Sequence, residues 1–198
     1  KYQNGNYPED SFIMVTLGTG IGGGIILNGK LWPGINGAAA EFGHMTLHYD
    51  GVPCNCGRKG CFEAMASANA LIAQAKERMQ TSLQSLLWSL CGEDAEKVEA
   101  RTVFEAAAAG DETAAELLDC YTTYLSEGIT NIINIFQPAV VCIGGGVSRA
   151  GDALLLPLRE KTAQRIYSKN SKRNTKIVLA ELDNDAGVLG AALLGMGR

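Results

Sequence analysis

A chain of 198 residues with 46% apolar and 19% charged side chains has enough apolar material for a folded core and too much for a disordered segment. Its 17 basic and 21 acidic residues are interspersed and leave a net charge of −4, so there is no basic footprint for nucleic acid. The 24 glycines cluster in a few loops without a three-residue period, no apolar stretch nears the ~20 residues of a membrane span, and Lys1–Gly5 does not read as a signal peptide; a collagen-like chain and a membrane-spanning helix are excluded, and a cytoplasmic protein is expected.

Along the chain, Phe12–Leu17 reads as a buried strand, followed by the glycine loop Gly18–Gly24, a second apolar run Ile25–Leu27 and an Asn28-Gly29 hairpin signal. Residues 30 to 61 are rich in glycine and turn residues. From Phe62 to about Gln80 the apolar spacing predicts a helix, and a second amphipathic stretch runs through Leu90. Thr102 and Glu105 have the spacing of a capping box, with Gly110 as the stop of a short helix. Asp111 opens a long helix through Phe136, closed by Pro138; Ala139–Ile143 is a short buried strand ending in Gly144–Gly146. A helix over Asp152–Tyr167, the basic and solvated loop Lys169–Lys176, a strand over Lys176–Leu182 and a helix over Asp185–Met196 complete an α/β chain with no internal repeat and no linker.

Gly18, Gly20 and Gly23 satisfy G-x-G-x-x-G after a strand, yet the loop folds back into a second strand and not into a helix, so neither a dinucleotide fold nor a Walker loop fits. Its backbone N–H groups and the Thr19 hydroxyl suit an anion, although a ligand-free tight turn is the plain alternative. Gly144–Gly146 ends a strand where α/β sheets bind ligands.

Six cysteines are too few for a disulfide scaffold, and three of them crowd into Cys54–Cys61, while Cys91, Cys120 and Cys142 stand alone in apolar surroundings. His44, Cys54, Cys56 and Cys61 offer one imidazole and three thiolates, the donor set of a closed, structural zinc site, with Gly57 and Gly60 allowing sharp turns. Free thiols or a disulfide are the alternatives, and His48 is read as an exposed or hydrogen-bonding side chain. Glu41 lies three residues before His44, and Glu63 two after Cys61. The two carboxylates and the imidazole could converge as acceptors for a polyol, or stand as a surface residue and a helix N-terminal residue.

Taken together, Leu17–Gly24, Ala40–His44, Cys54–Glu63 and Ile143–Ser148 resemble, in order and spacing, the ROK family of bacterial sugar kinases and repressors. The resemblance implies an actin-like ATPase (ribonuclease H-like) fold, with sugar and ATP meeting between two lobes. It implies His44, Cys54, Cys56 and Cys61 on a structural zinc ion, and Glu41, His44 and Glu63 toward the sugar hydroxyls. Gly18, Thr19 and Gly20 would face the ATP phosphates, and Gly144, Gly145 and Gly146 would lie near the adenosine. The expected activity is that of a glucokinase-like hexose kinase, moving a phosphoryl group from Mg-ATP to a hexose or amino sugar, in a homodimer. A ROK-type repressor with the sugar as effector is the alternative; the intact glycine loops favour the kinase.

Kinases of this family also carry, ahead of the glycine loop, a first phosphate loop and an Asn-Asp pair whose Asp is the catalytic base. This chain holds neither before Gly18, so it is expected to be the C-terminal, larger lobe of such a protein, without a catalytic base and inactive alone. Asn184-Asp185-Ala186 has the letters of the catalytic triplet, but it precedes the last helix, where the family carries a packing motif; Asp185 is not assigned as the base. Asp10, Asp50, Asp94, Asp111, Asp119 and Asp152 lie in loops or helix starts without a supporting motif.

Overall fold

The computed structural model describes residues 11–182 and 185–195. The lead-in at Lys1–Asp10 and Asn184 lie outside them. The elements are β1 (Phe12–Leu17), β2 (Ile21–Leu27), β3 (Lys30–Leu31), α1 (Phe62–Ala66), α2 (Ala68–Met79), α3 (Leu86–Leu90), α4 (Ala100–Ala108), α5 (Glu112–Phe136), β4 (Val140–Gly144), α6 (Asp152–Arg165), β5 (Lys176–Leu179) and α7 (Asp185–Gly195). Among the described residues no helix is long and apolar enough to cross a membrane.

One five-stranded sheet, ordered β3-β2-β1-β4-β5, organises the chain. β1 pairs antiparallel with β2 and parallel with β4, and β4 pairs parallel with β5. The alternation in β1 buries Ile13, Val15 and Leu17 on one face, against a core that includes Leu125, Ile129 and Ile132 of α5. β4 is buried at every position, as an interior parallel strand should be. This is the α/β, actin-like arrangement that the sequence resemblance implies.

Asp111 caps α5 as expected: its Oδ1 accepts from the Ala114 N–H at 2.7 Å, while Oδ2 takes the Leu86 N–H at 2.6 Å and ties α3 to the same cap. Gly128 interrupts α5 at a cost of about 1 kcal/mol in helix propensity. A Cβ there would run into the Phe62 ring, so the glycine lets α1 seat directly on α5. Asn28 and Gly29 both adopt positive φ, 51° and 70°, and make the hairpin turn their letters predict.

Four expectations are corrected. The second strand begins at Ile21, not Ile25, because Gly22 and Gly23 belong to β2. A Cβ on Gly22 would come within 2.8 Å of Thr16 Oγ1, and one on Gly23 within 2.7 Å of the Ala40 carbonyl, so these glycines serve close packing and the connecting loop shrinks to Gly18–Gly20. The helix expected over 62–80 breaks at Ser67, whose extended backbone (ψ 171°) ends α1 while its Oγ caps α2 by accepting the Ala70 N–H at 3.1 Å. Thr102 is the third residue of α4 and not its cap; its Oγ1 accepts the Glu99 N–H at 3.2 Å, so the helix starts three residues earlier than the Thr102-Glu105 pair suggests. Cys91 and Cys142 are buried, whereas Cys120 is exposed on α5.

Candidate functional site

The parallel register of β1 and β4, with Thr16 beside Gly144, brings the two glycine clusters together at the carboxyl ends of neighbouring strands. Gly145 adopts φ 87°, and a Cβ there would collide with the Leu17 carbonyl, so only glycine permits this approach. Thr16, Gly18 to Gly22, Gly145 and Glu63 line a cleft of about 360 Å³.

Within the loop, the Gly18 N–H is taken by the Gly20 carbonyl at 3.0 Å and the Gly18 carbonyl by the Ala68 N–H, the first of α2, at 2.9 Å. The Ile21 N–H donates to Glu63 Oε2 at 2.8 Å. The N–H groups of Thr19 and Gly20 meet no acceptor among the described residues, which leaves two adjacent backbone donors at the mouth of the cleft. Gly144 and Gly146 do not line it: a Cβ on Gly144 would press on Met14, and Gly146 opens the 3-10 turn Gly146–Ala150. Ser148, at the end of the quoted motif, is buried and donates from its Oγ to the Gly145 carbonyl at 2.7 Å, holding the second glycine turn.

The chain reaches Glu63 from the cysteine cluster, whose last member is Cys61. One ligand atom each from His44, Cys54, Cys56 and Cys61 lies within 4.8 Å of all the others. Cys54 Sγ stands 3.7 Å from His44 Nδ1, and Cys56 Sγ 3.6 Å from Cys61 Sγ. A tetrahedron with zinc–sulfur arms of about 2.3 Å has edges of roughly 3.8 Å, so the donor set fits zinc; these sulfurs are too far apart for the ~2.05 Å disulfide bond. Burial and the neighbouring Cys56 and Cys54 thiols push the Cys61 thiol up to about 12, while the Arg58 backbone N–H draws the exposed Cys56 thiol below its ordinary value. A dication would override both, because a coordinating thiol gives up its proton. Arg58 braces the cluster from outside, with Nη1 donating to the His44 carbonyl at 3.1 Å and Nη2 to Thr46 Oγ1 at 2.6 Å.

Glu41 and His44 share the short turn at Phe42–His44, and neither lines the cleft. Glu41 is exposed, and its φ of −72° and ψ of 55°, with the Phe42 N–H on the Ala40 carbonyl at 2.7 Å, make an inverse γ-turn. Ala40 just before it holds φ 68°, a conformation that costs a residue with a Cβ about 1–2 kcal/mol. This turn lies against Glu63: a Cβ on Gly43 would stand 3.3 Å from Glu63 Cβ. His44 meets Cys54 through Nδ1, which leaves its other ring nitrogen for a second partner. His48 is exposed, as read from the sequence. Sequence reasoning missed the Ile21 N–H, Ser67 and Arg58; only Arg58, a bidentate donor between the last two thiols, left a signal in the letters.

Sheet order, a glycine-lined cleft and a Cys/His cluster beside one carboxylate stand together on an α/β fold of the actin-like class. The chain belongs to the ROK family, whose pattern it matches over residues 2–197. It is 42% identical to the glucokinase of Thermotoga maritima over 93% of this chain and 57% of that protein. The crystal structure of a ROK family glucokinase from Streptomyces griseus in complex with glucose and AMPPNP superposes with a TM-score of 0.87 at 35% identity, over 95% of this chain and 61% of that one. The xylose repressor of Bacillus subtilis is 30% identical over 92% of this chain and 43% of its own length. The chain thus spans little more than half of the glucokinases it matches.

Proposed function

We propose that this chain is the C-terminal, larger lobe of an ATP-dependent hexose kinase of glucokinase type, which passes the γ-phosphoryl group of Mg-ATP to a hydroxyl of a hexose or amino sugar. The observation that carries the reading is the sharing of one cleft by a carboxylate and a pair of backbone donors: Glu63 beside the Thr19 and Gly20 N–H groups. A carboxylate is an acceptor for sugar hydroxyls, and adjacent N–H groups are a receptor for phosphate oxygens. Phosphoryl transfer asks a protein chiefly to position these two partners and to balance charge.

In this reading Glu63, His44 and Glu41 receive the sugar, Gly18, Thr19 and Gly20 face the phosphates, and Gly144 to Gly146 border the adenosine through Gly145. His44, Cys54, Cys56 and Cys61 hold a zinc ion whose four positions are filled by protein, so it braces the sugar loop and activates no water. The general base belongs to the other lobe, and its loss would slow the reaction by about 10²- to 10⁴-fold. The cytoplasmic homodimer implied by the family resemblance is part of the same proposal.

The test is sugar-dependent ADP release, with glucose, fructose, mannose and N-acetylated sugars, by the protein carrying both lobes and by the 198-residue chain alone. Turnover by the former and none by the latter is expected. Sugar-dependent turnover by the chain alone would refute the single-lobe assignment. The similarity to a xylose repressor supports a second reading, in which the sugar is an effector; operator binding released by sugar, without ATP consumption, would establish it in place of the kinase.

A further inference from the structure

Gly20 carries the letters of a phosphate loop, but its surroundings point elsewhere. A Cβ built on Gly20 would collide with Glu63 Oε2 and come within 2.8 Å of Glu63 Cδ. The carboxylate therefore lies in the space that a side chain at position 20 would fill. The next residue fixes it there, since the Ile21 N–H donates to the same Oε2 at 2.8 Å. Gly18, two residues earlier in the same loop, meets nothing within 4 Å of its own Cβ position. Neither glycine is in the positive-φ region, so the backbone at both positions accepts alanine and the difference between them is one of neighbours alone.

We propose that the missing side chain of Gly20 and the Ile21 N–H are positioning elements for the sugar: they seat Glu63 so that Oε2 is held by the backbone and Oε1 remains as acceptor for a sugar hydroxyl, while the Gly20 N–H stays with that of Thr19 on the phosphate side. The loop thus has two separable duties. The Thr19 and Gly20 N–H groups serve the phosphate side, while the absence of a side chain at position 20 keeps open the place of the sugar-binding carboxylate. One consequence is a mechanical tie between the substrates, because any shift of the loop on nucleotide binding moves the donor that orients Glu63. The inference rests on the reading of Glu63 as a sugar acceptor.

The experiment measures KM for sugar and for ATP separately, in the two-lobe protein, for Gly18→Ala, Gly20→Ala, Glu63→Ala, Glu63→Gln and the Gly20→Ala/Glu63→Ala double variant. Gly20→Ala should raise the sugar KM by about ten- to hundredfold, the scale of a lost hydrogen bond to a charged group, with the ATP KM nearly unmoved. Gly18→Ala, whose added methyl meets no neighbour, should leave the sugar KM unmoved. In the Glu63→Ala background, Gly20→Ala should add nothing to the sugar KM, because the carboxylate it displaces is gone. Glu63→Gln keeps an oxygen for the Ile21 N–H and should lose less than Glu63→Ala. A Gly20→Ala variant that raises the ATP KM alone, while Glu63→Ala raises the sugar KM, overturns this inference and leaves the kinase reading standing. A sugar KM untouched by Glu63→Ala overturns the sugar role of Glu63 itself. If Gly20→Ala did not fold, the double variant, which lacks the clash, would still report: an increase beyond that of Glu63→Ala alone would refute the proposal.

Discussion

The cysteine loop and the sheet-and-helix core are ordered by different forces. Between Trp32 and Cys61 the regular structure is one short 3-10 turn and two isolated bridges, Thr46 with Cys61 and Pro53 with Lys59, and Ile35 and Tyr49 are almost fully exposed. In β1 and α5, by contrast, Ile13, Val15, Leu17, Tyr121, Leu125 and Ile129 are wholly buried. Apolar burial holds the core, whereas glycine turns, backbone bonds and the Cys/His cluster order the loop. Glu63 stands where the two meet, two residues after the ligand Cys61 and one after Phe62, which seats on Gly128 of α5. The placement of this one carboxylate thus depends on both kinds of order.

The most severe way to break the comparison is to remove the ligation. Cys61→Ser, or chelation, should abolish bound zinc and sugar binding and open Arg58 and Lys59 to trypsin. Far-UV circular dichroism should change little, because α2 to α6 lie outside the loop. Metal analysis, a tryptic time course and a sugar titration check this; loss of helical signal along with the metal would show that loop and core are one cooperative unit.

Next come the glycines. Gly60 holds φ 63°, and a Cβ there would collide with the His48 carbonyl, a backbone atom that cannot swing away. Gly60→Ala should cost about 2–3 kcal/mol and weaken zinc retention. Gly57, at φ 89° but facing open space, should cost only about 1 kcal/mol. In the core, Gly128→Ala forces Phe62 aside and should cost about 1–3 kcal/mol, read as a global shift in denaturation midpoint with zinc retained. A Gly60→Ala protein that melts early but keeps its metal would show that the loop is held by more than ligation.

Much of the core was legible in the sequence because period and punctuation are local: the runs at Phe12–Leu17 and Ala139–Ile143, the Asp111 cap and the Asn28-Gly29 turn each stand in the structure near where they were read. What escaped depended on contacts across the chain. Nothing in the letters around Ser67 distinguishes a helix interior from a kink; the break exists because the Ala68 N–H finds the Gly18 carbonyl, 50 residues away in sequence. Gly22 and Gly23 read as loop because the packing of Thr16 and Ala40 against them is invisible locally. At the site, the grouping of His44, Cys54, Cys56 and Cys61 announced itself by chemistry and spacing. The seating of Glu63 on Ile21 did not, since a backbone N–H has no letter.

A smaller effect sharpens the account of the core. The Tyr121 hydroxyl is buried and meets no hydrogen-bond partner among the described residues, so Tyr121→Phe removes an unsatisfied group and should be neutral or stabilising by about 1 kcal/mol. A clear loss of stability in thermal or denaturant melts would show that a bound water satisfies that hydroxyl.

The smallest effect concerns thiol chemistry, where core and loop should separate by pH. Burial, with the Glu181 charge nearby, pushes the Cys142 thiol up from its ordinary value to about 11. In the folded protein this thiol is neutral at pH 8 and should resist a thiolate-seeking reagent, while exposed Cys120 and, after chelation, the lowered Cys56 should react first. The stability consequence has a fixed sign. A group whose pKa is raised by folding contributes fully below its unfolded value, and that contribution is lost as pH climbs through the folded value. The melting temperature should therefore fall between about pH 9 and 11 more steeply for the native chain than for Cys142→Ala. Equal slopes would mean that β4 opens readily enough for the thiol to ionise in water, and that the strand beside the cleft is less firmly held than its complete burial implies.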